Sequence, residues 1–323
     1  MATVASLAVL AVALVVVAPW DAQRRQAIAD QITVWTHPPT ADIETIADEV
    51  TLTPDARRIF FATRPSIEPA DSFNGHCEVE GQTVLGCYTS DDRIYVYQVT
   101  DERLAGTVEV TAAHEFLHAA YERLSAGERD RVDALVAAAV DAIPPDDPVR
   151  AVMATYPASQ LADEWHSRLG TEFADLGPEL EQYYARYFDD RSAVLAFDRQ
   201  STAALDDLQA QIDDLVTQLD ALGADLDRRS TAYESDVAAL NADIDDFNAR
   251  AQTPGAFSSQ AEFDRERAAL QARYDALEND RLALNADTDR YNAMVDQLES
   301  LDASYADLYS NLDSTQAPDQ VGG

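Results

Sequence analysis

Thr111-Ala-Ala-His114-Glu115-Phe-Leu-His118-Ala-Ala-Tyr121 is the stretch on which the reading of this chain turns. Helix formers fill it, and neither Gly nor Pro interrupts Thr107 to Ser125, so the segment is predicted to be helical. In a helix, residues four apart stand one above the other on a single face, which lets His114 and His118 grip one metal ion. Glu115 follows the first of them, where its carboxylate can reach a water on that ion. The bland alternative is a packing helix that happens to carry two histidines. With only 5 histidines in 323 residues, the H-E-x-x-H pattern in a helical context favours the metal.

A catalytic zinc ion typically takes three protein ligands and keeps one position open for water. The third donor is sought downstream, on the polar helix expected between Ser159 and Asp175. Glu164 is the first candidate and Glu172, on a neighbouring face, the second. The other histidines carry weaker signals. His37 precedes two prolines and reads as a loop residue, and His76 reads as a surface or hydrogen-bonded group. His166, two residues past Glu164, points away from it on a helix and is an oxyanion candidate if Glu172 is the ligand. Tyr183 and Tyr184 are further oxyanion candidates whose ordinary role is packing.

Ahead of the motif lies the main β signal. Gln82–Tyr88 and Arg93–Val99 are predicted strands joined by Thr-Ser-Asp-Asp, a hairpin connection. Such a pair can cover the metal helix or bind an extended peptide along its edge. Cys77 and Cys87 are the only cysteines and lie close in sequence, which reads as a disulfide formed in an oxidising compartment.

His114-Glu115-Phe-Leu-His118 on a helix, a preceding hairpin and the downstream Asp163-Glu164-Trp-His-Ser167 together resemble the zincin metallopeptidases of gluzincin type. The resemblance covers about residues 71–188, and Asp163 stands where that class usually has Asn. It implies His114, His118 and Glu164 as zinc ligands, Glu115 as general base, and a peptide or protein substrate. Cys87 ahead of the motif also resembles the order in peptide deformylases, where a cysteine completes the metal site. The residues that flank that cysteine are missing here, and a thiolate ligand would leave Cys77 without a partner.

At the N-terminus, Ala2 to Ala18 carries no charge and as a helix would span roughly 26 Å. The expectation is an uncleaved transmembrane anchor over residues 1–20 and a single-pass membrane protein with its soluble part extracytoplasmic. Arg24 and Arg25 argue for the opposite orientation. At the other end, Leu205, Leu208, Ile212, Leu215, Leu219, Leu222 and Leu226 form a coiled-coil seam. It resumes at Tyr233 after a stutter, and a second seam runs from Leu270 to Leu312 beyond a Pro-Gly break.

The expected organisation is an anchor (1–20), a metal-binding domain (21–190), a coiled-coil hairpin (191–312) and a disordered tail (313–323). The fold class is mainly α with a small β-hairpin or sheet, an α+β zincin-like domain followed by a long antiparallel helical hairpin. A parallel dimer is the alternative for the coil, which is also a candidate surface for a protein partner. With 59 acidic against 23 basic residues, and every basic residue an arginine, the net charge of −36 repels polyanions, so no nucleic-acid partner is expected. The competing function is a non-catalytic membrane-anchored scaffold in which a fourth ligand closes the zinc site as a folding staple.

Overall fold

The computed structural model describes residues 22–77 and 84–315. In chain order these form α1 (Ala22–Thr36), α2 (Ala41–Glu49), α3 (Pro54–Ala62), β1 (Ser66–Glu68), α4 (Ala70–Phe73), β2 (Gly86–Thr89), β3 (Arg93–Tyr97), α5 (Thr107–Glu122), α6 (Ala126–Ala142), α7 (Val149–Met153), α8 (Leu161–Glu172), α9 (Pro178–Tyr184), α10 (Arg191–Ala251) and α11 (Gln260–Leu312). The architecture is mainly helical, with one small sheet and a long helix pair. Two compact units result: one runs to Ala204 and resumes at Leu308, the other is Leu205–Asp307.

Local chemistry sets the helix starts of the first unit. Pro54 opens α3 behind Thr53, whose hydroxyl accepts from the Ala56 amide. Ser125 and Glu128 form a reciprocal capping box at the start of α6. The helix that carries the H-E-x-x-H motif, α5, lies at the centre and buries residues around most of its circumference, from Thr111 and Ala112 to Ala120 and Tyr121. On one flank Phe116 is fully buried, with the rings of Phe60, Tyr187 and Phe188 edge-on to it at 5.7–6.1 Å. On another flank α5 packs against α8.

The sheet has the order β1-β3-β2, with β1 parallel and β2 antiparallel to β3. The expected hairpin is present, shortened to Gly86–Thr89 and Arg93–Tyr97; Gln82 and Thr83 of the expected first strand lie outside the described residues. Strand β1 was not foreseen. Three residues between Pro65 and Pro69 are too few to display alternation. In β3, Ile94 and Val96 join the core cluster that contains α5, while Tyr95 and Tyr97 pack with Phe73 and Cys77 on the opposite face. Cys77 and Cys87 form the disulfide, with Cα atoms 5.9 Å apart.

One expectation is overturned. The anchor segment, Ala2 to Ala18, lies outside the described residues, and among the described residues no helix is long and apolar enough to cross a membrane. The long helices α10 and α11 carry acidic and other polar residues throughout, which rules out a span despite their length. The expectation of a single-pass membrane protein with an extracytoplasmic soluble part is therefore withdrawn.

The first turns of α10 belong to the first unit. Val194 is fully buried in its core, and the Arg191 guanidinium donates to the carbonyls of Leu169, Gly170 and Phe173. The chain re-enters this unit at Leu308, which is 1% exposed. Within the segment expected to be a disordered tail, Ser314 is held by Asn74: its hydroxyl donates to Oδ1 at 2.6 Å and its carbonyl accepts from Nδ2 at 2.9 Å. Residues 316–323 lie outside the described residues.

The second unit is an antiparallel pair made from the rest of α10 and α11. Ion pairs Arg229–Asp287, Asp243–Arg273 and Arg250–Glu266 step symmetrically toward the turn. Leu215, Leu219 and Met294 are buried in the seam with Leu222, Tyr291 and Leu298 packed on them, so one chain pairs its own seams. Beside the turn, Phe247, Phe257 and Phe263 cluster with centroids 5.0–5.4 Å apart. Helix α10 runs unbroken through the seam's stutter.

Gly170 is the closest point between α8 and its neighbours. A Cβ there would fall 2.4 Å from Leu117 Cδ1 and 2.8 Å from Tyr184 Cε1, and both of those side chains are fully buried. Gly170→Ala is therefore expected to destabilise the first unit by about 1–3 kcal/mol through overpacking, despite the better helix propensity of alanine. Chemical denaturation followed by tyrosine fluorescence measures this. A neutral or stabilising result would mean that α5 and α8 can separate freely.

Candidate metal centre

The face of α5 turned toward α8 carries His114 and His118, and the first turn of α8 carries Glu164. His118 Nε2 lies 3.2 Å from His114 Nε2 and 3.5 Å from Glu164 Oε2, and His114 Nε2 lies 3.6 Å from Glu164 Oε1. One donor atom from each of the three residues falls within 4.8 Å of the others. The group is largely enclosed: the side chains of His114, His118 and Glu164 are 17%, 14% and 8% exposed. Two imidazole nitrogens and a carboxylate are a donor set that suits zinc in a site with an open fourth position.

Behind His118 stands Asp163, whose Oδ1 is 2.9 Å from His118 Nδ1. This contact fixes the ring and directs Nε2 at the other donors, the usual role of an outer carboxylate behind a metal-binding histidine. Burial opposes the charge of His118, but the hydrogen bond to Asp163 and the carboxylates of Glu115, Asp163 and Glu164 outweigh it, raising its pKa to about 9. His118 Nδ1 faces Asp163, and its Nε2 faces His114 Nε2 and Glu164. Burial, then the charges of His118 and Arg168, hold His114 well below the usual histidine range, which favours its neutral form. Two imidazole nitrogens and a carboxylate from two helices converge on one point, which is the observation that a metal fits here.

Glu115 is 7% exposed and faces the cleft from the same helix. Burial, reinforced by Glu164 and Asp163, pushes its carboxyl up to about 7, against the pull of His118 and of the Tyr88 backbone amide. Strand β2 lies directly against it. A Cβ on Gly86 would come within 2.6 Å of Thr111 Cγ2 and 2.8 Å of Glu115 Cγ, so only glycine permits this approach.

The opposite wall comes from α8 and the loop before it. Arg168 donates from Nε to Glu164 Oε1 at 3.0 Å and from Nη1 to Glu172 at 3.0 and 3.2 Å. Glu172, the rival ligand, is thus turned to Arg168 and stands outside the three-residue donor group. Burial raises its pKa to about 7. The half-buried Tyr156 side chain lines the same cleft beside Arg168 and Glu164, and burial pushes its hydroxyl pKa up. Together with Asp198 and Ser201 of α10 these residues line a cleft of about 300 Å³ that contains His114, Glu115 and Glu164.

Tyr156 and Arg168 are cleft residues that sequence reasoning passed over. Tyr156 sits between Thr155 and Pro157 in a loop without periodicity; a lone aromatic just ahead of the polar helix was the available signal. Arg168 lies four residues from each glutamate on one helix face, a spacing that could have marked it as the group between them.

Other candidates are placed elsewhere. His166 is fully buried, its Nε2 2.8 Å from the Tyr183 hydroxyl, and the Tyr184 hydroxyl donates to the His166 carbonyl. All three belong to an aromatic cluster outside the cleft lining, so none serves an oxyanion there. His76 stacks on Tyr95 with centroids 4.1 Å apart, and His37 caps the end of α1 through Thr36. Cys87 is in the disulfide and offers no thiolate. A larger cavity of about 680 Å³, walled by Leu135, Ile143, Leu169, Phe173 and Leu180, contains none of the metal-binding candidates.

Zinc requires neutral imidazoles, so a cation entering this centre must displace the extra proton of His118. Because that proton is held up to about pH 9, zinc affinity is expected to rise with pH and level off near 9. Binding at pH 8 should release about one proton per zinc, measurable by calorimetry in buffers of different ionisation enthalpy. His114→Ala and His118→Ala should abolish binding, and Glu164→Ala should weaken it more than Glu172→Ala. A pH-independent affinity would contradict the raised pKa of His118. No protein-family model, curated protein or solved structure matches this chain, and its function is therefore read from its own geometry.

Proposed function

We propose that the first unit is a zinc-dependent peptidase that hydrolyses peptide bonds with an activated water. The observation that carries this reading is the convergence of His114, His118 and Glu164 within 4.8 Å, with the buried Glu115 beside them in an open cleft. His114, His118 and Glu164 would hold the ion. When bound, zinc supplies Lewis acidity that lowers the pKa of water to roughly 7 and polarises a carbonyl.

The chain supplies the rest. Glu115, pushed up to about 7 by burial, is matched to taking a proton from water and passing it to the leaving amine near neutral pH. Arg168 and the Tyr156 hydroxyl flank Glu164 and offer hydrogen bonds to the oxygen on which negative charge develops. Asp163 keeps His118 aimed at the centre. An extended peptide has a place to lie: β2 is an edge strand, and Val84, Leu85 and Gly86 line the cleft directly. The resemblance to gluzincin metallopeptidases rests on the H-E-x-x-H helix, the hairpin before it and Asp163-Glu164-Trp-His-Ser167 downstream. Against a closed structural staple, the donor group among the described residues holds three members, and both cysteines are in the disulfide.

Glu115→Gln keeps the side-chain shape and removes the base. Zinc content should stay at one per chain while hydrolysis of a diverse peptide library, read by mass spectrometry, falls by about 10²–10⁴-fold. Such a loss corresponds to about 3–5 kcal/mol of barrier. Cleavage that survives undiminished in Glu115→Gln would remove Glu115 from the role. Zinc held by a fourth protein ligand, with no cleavage by either protein, would favour the scaffold.

A further inference from the structure

We infer that strand β2 is the element that aims the Glu115 carboxylate, with Gly86 and Tyr88 as positioning residues and the Cys77–Cys87 disulfide as the fastener of the strand. Its catalytic meaning rests on the peptidase reading; the contact itself rests on geometry.

The register settles which groups of β2 are available. The Tyr97 amide donates to the Leu85 carbonyl at 2.8 Å, and Cys87 and Thr89 stand opposite Tyr95 and Arg93. Hydrogen-bonded pairs alternate along an antiparallel ladder, so Leu85, Cys87 and Thr89 direct their backbone groups to β3. Gly86 and Tyr88 direct theirs to the free edge. The Tyr88 amide lies on that edge and draws the Glu115 pKa down, while the Gly86 backbone meets the Glu115 side chain directly.

Side chains alternate as well. Gly86 and Tyr88 face α5: a Cβ on Gly86 would lie 3.0 Å from Glu115 Oε1, and the Tyr88 hydroxyl donates to Glu122 at the end of α5. Cys87, between them, points to the other face, where its bond to Cys77 is buried against Phe73 and Tyr95. The strand is four residues long and, among the described residues, is laddered on one side. The disulfide therefore holds it from behind at the residue that separates its two contacts with the base.

The full-length protein carries the test, with hydrogen exchange of the Tyr88 amide as a readout independent of activity. Glu115→Ala should speed exchange at Tyr88 by at least about tenfold and leave the Cys87 amide, in the β3 ladder, unchanged. The double variant Cys77→Ser/Cys87→Ser should likewise speed Tyr88 exchange. The double variant should lower kcat by about 10–10²-fold, the scale of a misplacement near 1 Å, with KM and zinc stoichiometry unchanged. Gly86→Ala, at a residue that also lines the cleft, should lower kcat by a similar factor with zinc stoichiometry unchanged.

Tyr88 exchange that ignores Glu115→Ala would overturn the inference. So would a disulfide-free protein with wild-type Tyr88 protection and wild-type kcat. If wild type cleaves no peptide, the peptidase reading fails alone, and the exchange measurements still decide whether β2 holds Glu115.

Discussion

The close approach of α5 and α8 is the constraint on which the rest of the first unit depends. Donor atoms from two helices can gather round one ion only where the backbones nearly touch, and here small residues permit it. Gly170 on α8 gives up its side chain to Leu117 and Tyr184, and Ala113 and Ala120 on α5 are buried at 1% exposure. Phe116 and its ring neighbours then lock α5 from the far side, and Ile94 and Val96 of β3 join the same cluster. A helix packed on nearly all sides has little freedom to rotate, so its outward polar residues are aimed by the core.

That rigidity has an electrostatic cost. Glu115, Asp163 and Glu164 crowd one region of a chain already at −36, and buried carboxylates without positive partners do not stay ionised. Two cations answer them. Arg168 is shared between Glu164 and Glu172, and the hydrogen bond to Asp163 with the surrounding carboxylates raises the pKa of His118 to about 9, which favours its charged form. In the peptidase reading a zinc ion would displace that proton and bring one further positive charge, set against the carboxylates of Glu115, Asp163 and Glu164. On this argument the two states of the site differ in which cation holds the carboxylates together.

Much of this was legible in the sequence because it is periodic or local. H-E-x-x-H, the strand signal over Arg93–Val99 and the leucine seams each declare themselves within a few turns. The two cysteines announced their pairing by being the only ones. What stayed hidden depends on three dimensions. Glu164 and Glu172 lie two turns apart on one helix, and only the direction of approach of α5 distinguishes them. Tyr156 reaches the cleft from a loop, and His166 and Tyr183, polar enough to look functional, satisfy each other in the core. The membrane-spanning assignment is the expectation that is overturned: it rested on Ala2 to Ala18, outside the described residues, and among those no helix is long and apolar enough to cross a membrane.

The helix pair interrupts the first unit: the chain leaves at Leu205 and returns at Leu308, where Leu308 is buried and Ser314 pairs with Asn74. An unstructured insertion of that length would raise the entropic cost of closing the first unit, though only slowly with length. An antiparallel pair reduces the cost further, because zipping Arg250 to Glu266 and then Arg229 to Asp287 brings the two ends of the insertion together by its own seam. The pair's stability and the closure of the first unit are then served by the same leucines. This explains how a long helical excursion can be carried between α9 and the closing residues 308–315 without loosening the centre.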